Sequence, residues 1–255
     1  FRSDINVAIL SRKGQIKRTS LAEFMVQRYS KPISCMRLFT DDTVADVALT
    51  SGDSDLLVMT LEGDATLFNE NEISLTGIKS SGVKAIARLD STDKAVALLA
   101  YDPAERGKII ALTDCGNLRV FDSAYVSKTA RLGKVQYVYK SFKSDRHELV
   151  YAAKLDKKLE QITVNFLKSD NQPSSVTLDD FKPTPIDKYA KKNIALATGL
   201  RVIGVYTDML GKIDETTKAY TPPVKVETPK ISAPTGEDEK SGYEQISIFD
   251  DLDVK

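Results

Sequence analysis

The sequence predicts an all-β fold of repeated, propeller-like blades. Three stretches share one pattern, in which an apolar run leads into a polar turn ending on glycine and then into a second short run. This pattern is typical of a β-hairpin. The turn glycines are Gly14, Gly63 and Gly116, which lie 49 and 53 residues apart. Because helix-period apolar stripes are scarce, we expect strands in a repeat of about 50 residues.

Each hairpin is followed by two further strand-like runs, which gives four strands per unit, the number in a propeller blade. In the first three units these runs are 34–39 and 44–49, 83–89 and 95–101, and 134–139 and 148–153. A fourth, degenerate unit has runs at 161–168, 175–181, 193–197 and 200–206, and we expect a longer loop around 171–173 in place of its glycine. The predicted repeats are 5–54, 55–106, 107–156 and 157–210, within a β domain of residues 1–215.

Composition divides the chain into a basic body and an acidic tail. Of 255 residues, 42% are hydrophobic, which is enough for an ordinary core. The formal net charge is zero, which by itself argues against a nucleic-acid partner. Residues 220–255, however, hold eight acidic and four basic residues, so the preceding part is basic. The prolines and the few apolar residues of this tail predict disorder over 216–255.

The residues that usually carry chemistry are sparse. Cys35 and Cys115 show no CxxC spacing, so we expect neither a disulfide framework nor a zinc site, and a reducing cytoplasm fits best. No apolar run approaches the roughly 18 residues that cross a bilayer. His147 is the only histidine and is predicted to lie in a surface loop. Without a phosphate-binding loop or a nucleophile elbow, we expect no catalytic residue, metal or cofactor in this domain.

The residues around the turns resemble those of a known protein family. Gly14-Gln-Ile-Lys-Arg-Thr19 with Glu23-Phe24, and the stretch 77–85, resemble the C-terminal domain of the A subunit of bacterial type IIA topoisomerases, over residues 5–210. The resemblance implies a β-pinwheel, a propeller whose blades exchange strands, and the six blades of many members imply further blades before Phe1. Gln27-Arg28-Tyr29 does not match the Gln-Arg-Arg-Gly-Gly-type box of gyrase, and Gly82-Val-Lys-Ala85 is more similar to topoisomerase IV than to gyrase.

In that family a basic rim bends duplex DNA without reading its sequence, and we expect the hairpin tips and the strands after them to form this rim here. The predicted DNA-binding residues are Arg12, Lys13, Lys17, Arg18, Lys79, Lys84, Arg88, Arg119, Arg131 and Lys134. The resemblance also implies a parent topoisomerase that uses ATP and Mg in other domains, dimerises and pairs with an ATPase B subunit. The acidic tail would then compete with DNA for the rim.

Two other functions are compatible with the sequence. The first is a non-catalytic propeller scaffold that binds a protein partner, with the cations as ordinary solvated surface groups. The second is an enzyme with its site at the propeller centre, but no His, Asp or Glu recurs at matching repeat positions. Recurrence of the cations favours DNA binding.

Overall fold

The computed structural model describes residues 4–25, 32–104, 106–139, 146–155, 161–179, 182–186, 188, 191–192 and 194–207. All of these lie within the unit Phe1–Ile213. The predicted tail, 216–255, and Gln27-Arg28-Tyr29 lie outside the described residues. What is said below of the fold concerns the described ranges.

These residues form fifteen strands and three short 3-10 helices. The strands of the first half are β1 (Asn6–Ser11), β2 (Gln15–Ser20), β3 (Val44–Thr50), β4 (Asp55–Thr60), β5 (Asp64–Asn69), β6 (Val83–Lys84) and β7 (Ala95–Tyr101). Those of the second half are β8 (Lys108–Thr113), β9 (Asn117–Asp122), β10 (Gln136–Tyr137), β11 (Leu149–Lys154), β12 (Ile162–Lys168), β13 (Pro173–Leu178), β14 (Lys191–Lys192) and β15 (Val202–Thr207). The 3-10 helices are Leu21–Phe24, Glu70–Glu72 and Ser123–Tyr125.

The strands form four sheets, which confirms an all-β, propeller-like fold. Their orders are β3-β1-β2-β6, β7-β4-β5-β10, β11-β8-β9-β14 and β15-β12-β13. Each of the first three blades takes its fourth strand, β6, β10 or β14, from the next unit. This exchange confirms the β-pinwheel that the resemblance implies, so the four strand-like runs of one repeat do not all belong to one blade. The expected strand at 34–39 is absent, and those at 83–89 and 134–139 shrink to two residues each.

The innermost strands of successive blades, which are edge strands of their own sheets, lie side by side. β3 contacts β7, β7 contacts β11, and β11 contacts β15. Together they line an open cavity of about 570 Å³, whose walls include Asp46, Leu98, Tyr151 and Val205. These four strands therefore mark the centre, and β6, β10 and β14 mark the outer edge.

The hydrophobic core lies between blades. Leu56 and Val58 of β4 pack with Leu10 of the first blade, whereas Leu57 and Met59 pack toward the third. Successive side chains of a strand point to opposite faces of the sheet, so both faces of β4 are covered. This explains why the hairpin strands have unbroken apolar runs in place of an alternating pattern.

The four hairpins share one turn. The N–H of Gly14, Gly63, Gly116 and Asn171 donates to the carbonyl three residues earlier, at 2.9, 3.1, 3.0 and 2.9 Å. All four residues have positive φ, including 75° at Gly14 and 61° at Asn171. Asparagine tolerates this left-handed conformation better than most residues. The expected longer loop at 171–173 is therefore wrong, because Asn171 replaces the glycine without a change of turn.

Candidate nucleic-acid interface

The outer edge is built by what we call the donor segments, residues 74–89, 127–139 and the described part of 182–194. Each leaves its own unit and lies along the hairpin of the preceding blade. At its start, a threonine N–H donates to a hairpin carbonyl at 2.7 to 2.9 Å; the pairs are Thr76 to Arg18, Thr129 to Leu67 and Thr184 to Val120. Farther along, an apolar residue donates to the turn carbonyl at 2.8 to 3.1 Å; these pairs are Ala85 to Gly14, Val138 to Gly63 and Ile194 to Gly116.

The donor segments cover the strands that were expected to form the rim. The inner residues of β2 and β5 are buried, as are the first five residues of β9. The approach is closest at Gly82, where a Cβ atom would lie 2.4 Å from the carbonyl oxygen of Ile16 and where φ is +83°. The donor segments, and not the strands after the tips, therefore face outward from these blades.

Exposed cations are concentrated on the donor segments. Lys79, Lys84, Arg88 and Lys134 are exposed. Arg131 is half-buried, and its guanidinium donates to the carbonyl of Lys84 at 2.6 Å, which links two consecutive donor segments. The structure thus brings these five predicted residues onto one outer edge, which we call the basic rim.

Two further exposed lysines, Lys182 and Lys188, lie on the third donor segment and were missed. The sequence does contain a signal for these two exposed cations, because both belong to a lysine-rich run that extends to residue 192. The strand pattern does not point to this run, because the third donor segment contributes only two residues to a sheet.

Lys17 does not reach the rim. Its side chain is 0% exposed, and Nζ donates to the carbonyls of Cys35 and Gly77 at 3.0 and 2.8 Å. Burial lowers the pKa of this ammonium, and the electrostatic interaction with Cys35 raises it by a smaller amount. The expectation of an outward-facing Lys17 is therefore wrong, because the carbonyls of neighbouring segments need a buried donor.

Arg18 is also buried, at 6% exposure, so the expected outward position is wrong for it as well. It pairs with Glu70 at 3.0 Å and donates to Asn71 at the same distance. Glu70 also accepts from the Thr50 hydroxyl at 2.6 Å and the Ser54 N–H at 2.7 Å. Burial would raise the pKa of Glu70, but these hydrogen bonds outweigh it and hold the pKa below 4.5. The pair joins the first blade to the second.

Arg119, three residues after its turn glycine as Lys17 is, forms the equivalent clamp in the third blade. It is 1% exposed. Its guanidinium donates to the carbonyls of Val138 at 3.0 Å and Ile186 at 2.9 Å, and also to that of Lys188. The charge lies over the Tyr139 ring, 5.3 Å from the centroid. The expectation that Arg119 lies on the exposed rim is wrong, because its guanidinium is buried and holds two donor segments together.

Arg12 and Lys13 occupy the first hairpin turn and are exposed. Arg12 borders the central cavity, and the Lys13 ammonium donates to the carbonyl of Thr40 at 2.5 Å. Neither residue lies on a donor segment. For the ten predicted DNA-binding residues, the geometry therefore assigns five to the basic rim, three to buried clamps and two to a turn.

Within the described ranges, Asp114, Cys115 and His147 place potential metal-binding atoms within 4.8 Å of one another. His147 is buried, so its predicted position in a surface loop is wrong. The Arg201 guanidinium pairs with Asp114 at 3.0 Å and contacts the Cys115 sulfur, which supplies positive charge to the cluster from the protein itself. We assign no metal to it.

Among the residues described, no helix is both long and apolar enough to span a membrane. The described residues form a propeller-like fold in which each of the first three blades is completed by a strand from the next unit. Residues 6–51 and 55–102 match the family model described as DNA gyrase C-terminal domain, beta-propeller.

Named relatives and a solved structure agree with this match. The DNA gyrase A subunit of Buchnera aphidicola is 34% identical over 116 residues, covering 46% of this chain and 13% of the relative. The DNA topoisomerase 4 A subunit of Staphylococcus epidermidis is 25% identical over 153 residues, covering 60% and 19%. The crystal structure of the C-terminal domain of DNA topoisomerase IV superimposes on this chain with a TM-score of 0.69 at 25% sequence identity. The match covers 81% of this chain and 62% of the topoisomerase IV chain.

These findings confirm the resemblance inferred from the sequence. The repeats at 6–51 and 55–102 match the family model of the DNA gyrase C-terminal domain, and the fold is similar to that of the C-terminal domain of topoisomerase IV. The chain spans less than a fifth of the length of the two relatives just named.

Proposed function

We propose that this chain is the DNA-binding and DNA-bending C-terminal domain of a type IIA topoisomerase A subunit. The observation that carries the proposal is the basic rim: exposed cations recur on successive donor segments, in a fold shared with the C-terminal domains of gyrase and topoisomerase IV. A row of cations on an outer edge follows the phosphate backbone of a duplex and carries no sequence information.

The rim has to offset the cost of bending. Bending 20 to 30 base pairs by 40 to 90° costs about 1 to 6 kcal/mol. Each neutralised phosphate releases counterions, so affinity should fall steeply with salt. The Arg131 guanidinium donates to the backbone carbonyl of Lys84, which keeps the two consecutive donor segments at a fixed separation. A fixed separation lowers the entropy lost on binding.

The test is fluorescence anisotropy of a labelled duplex of about 30 base pairs across a salt series. The rim variant is K84E/K134E, and the matched control is R12E/K13E, which changes the net charge by the same amount on exposed residues off the rim. We expect wild-type binding to be independent of sequence. We expect the rim variant to lower the slope of log affinity against log salt by about two, because each lysine on a phosphate contributes about one. The control should stay within about twofold.

Equal weakening by both variants would contradict the proposal, because net charge and not the rim would then govern binding. Absence of binding at low salt would also contradict it. If binding follows the rim, energy transfer between dyes at the two ends of the same duplex tests bending, and the end-to-end distance should fall on binding.

For the parent protein we propose an ATP-dependent topoisomerase located in the cytoplasm, with ATP and Mg bound in other domains. Its A subunit would dimerise and pair with an ATPase B subunit, and the domain alone would have no activity. The names of the relatives support this proposal. The competition between the acidic tail and DNA stays a prediction.

A further inference from the structure

Each donor segment makes a tight turn directly after the threonine that opens it. An N–H group closes this turn by donating to the carbonyl three residues earlier, at 2.8 to 3.1 Å; the pairs are Ser80 to Gly77, Gly133 to Ala130 and Lys188 to Pro185. In the second donor segment, Arg131 and Leu132 are the two residues within the turn. Because the donor segments form the outer edge, we call these turns the rim turns.

Leu132 is an unusual residue for its place in a rim turn. Its side chain is 41% exposed, and its φ is +67°. Among the described residues other than glycine, positive φ occurs only at Asp41, Leu132 and Asn171. Asp and Asn tolerate this left-handed conformation, whereas a leucine is strained in it and a turn of this kind favours glycine. Neither the backbone nor burial in a core therefore accounts for a leucine at this position.

The rim turn that carries Leu132 is held firmly by its neighbours. The backbone N–H of Arg131 donates to the carboxylate of Glu72 at 2.5 Å. The guanidinium of Arg131 donates to the carbonyl of Lys84 on the first donor segment at 2.6 Å. The turn is therefore fixed to the adjacent blade, and Leu132 is presented on a rigid support. Strain that the surrounding structure maintains in this way is typical of functional positions.

Cations surround this exposed leucine. Arg131 precedes it, Lys134 follows it by two residues, and both belong to the basic rim. The first rim turn has Lys79 at the equivalent position, three residues after its threonine as Leu132 is. A lysine there can contact a phosphate, whereas a leucine cannot. An apolar side chain on a DNA-binding edge can instead fill the space between two base pairs.

We propose that Leu132 is an apolar wedge, which enters the minor groove of the bound duplex and inserts between two base pairs. The proposal rests on the DNA-binding function proposed above and adds the residue that localises the bend. Side chains such as leucine partially unstack the base step that they enter and kink the duplex by about 20 to 90°. The flanking cations hold the phosphates on either side. The wedge contacts no base edge, so it is compatible with binding that is independent of sequence.

The test compares two labelled duplexes of about 30 base pairs, one intact and one with a pair of adjacent mismatches at its centre. The mismatched duplex is already partly unstacked, so a wedge enters it at a lower cost. We expect the wild type to bind the mismatched duplex at least about fivefold more tightly than the intact one. L132A should bind the two duplexes equally.

Two further variants separate the wedge from other effects. L132K places a lysine where the first rim turn has one, so it should bind the intact duplex within about twofold of the wild type but lose the preference for the mismatch. L49A is the matched control, because Leu49 is 62% exposed on β3, away from the donor segments, and this variant should keep the preference. Energy transfer between the duplex ends should show less bending with L132A and L132K than with L49A. Equal melting temperatures of the variants show that each is folded.

Three results would overturn the wedge. Equal wild-type binding to both duplexes would show that no side chain inserts. A preference that L132A retains would assign the insertion to a different residue. Equal loss of the preference in L132A and L49A would show that the effect is not local to the rim turn. Wild-type binding without the preference overturns the wedge alone, whereas no wild-type binding to either duplex overturns the proposed function together with it.

Discussion

Replacing Arg119 with methionine should weaken the join between the third and fourth units without touching an exposed surface. The guanidinium serves three carbonyls, those of Val138, Ile186 and Lys188. A buried carbonyl left without its donor costs about 1 to 3 kcal/mol. Only the Val138 carbonyl is fully buried, so we expect a loss of about 1 to 3 kcal/mol after the recovered cost of burying the guanidinium. Methionine retains part of the packing volume, so this loss is mainly one of hydrogen bonding.

The assay for R119M is urea denaturation followed by circular dichroism, with the free energy of unfolding obtained by linear extrapolation. K134M is the matched control, because it also replaces a cation with methionine but at an exposed site, and it should stay within about 0.5 kcal/mol of wild type. R119K should lie between the two, because one ammonium cannot reproduce the guanidinium fork. If R119M is as stable as K134M, the clamp interpretation is wrong.

Three further predictions concern stability. The pKa of Glu70 is held below 4.5, so its contribution is complete above about pH 4.5 and is lost as the pH falls through the folded value. E70Q should therefore flatten the loss of unfolding free energy between about pH 5 and pH 3; an unchanged pH profile would contradict this. G82A should cost more than about 2 kcal/mol, because its Cβ meets backbone at positive φ, whereas G77A, with nothing within 4 Å, should cost little; equal melting temperatures would refute the close approach. N171A should cost about 1 kcal/mol in urea denaturation and N171G should not, since only alanine is strained at this positive φ; equal effects would show that the turn needs no left-handed residue.

The repeats and the all-β class could be predicted from the sequence because hairpin turns are local. Gly14 and its equivalents mark a backbone conformation that few other residues adopt. Strand exchange left no local signal, since β6 and β10 contribute only two residues each to the preceding sheet. Only the family resemblance implied it.

The candidate site was harder to predict, because a lysine or arginine in a strand has the same sequence signal whether it is exposed or buried. Lys17 and Arg119 recur at one repeat position because each satisfies carbonyls of a neighbouring segment. Lys84 and Lys134 lie at different positions of their donor segments, one and four residues before the residue that binds the turn carbonyl, and both are exposed because the donor segments face outward. Distinguishing buried from exposed cations needs the partners of the backbone carbonyls, which are distant in sequence.

Strand exchange also sets the order in which the chain can fold as it is synthesised. The turn carbonyl of Gly14 receives its partner from Ala85, about 71 residues later. At about 5 to 20 residues per second, a ribosome takes roughly 4 to 14 seconds to add that stretch. During this interval the first hairpin has an open edge, which is a period of exposure to wrong pairing with other nascent chains. Each blade in turn shortens the exposure of the one before it, so a pause in translation within a donor segment would prolong the vulnerable state of the preceding blade.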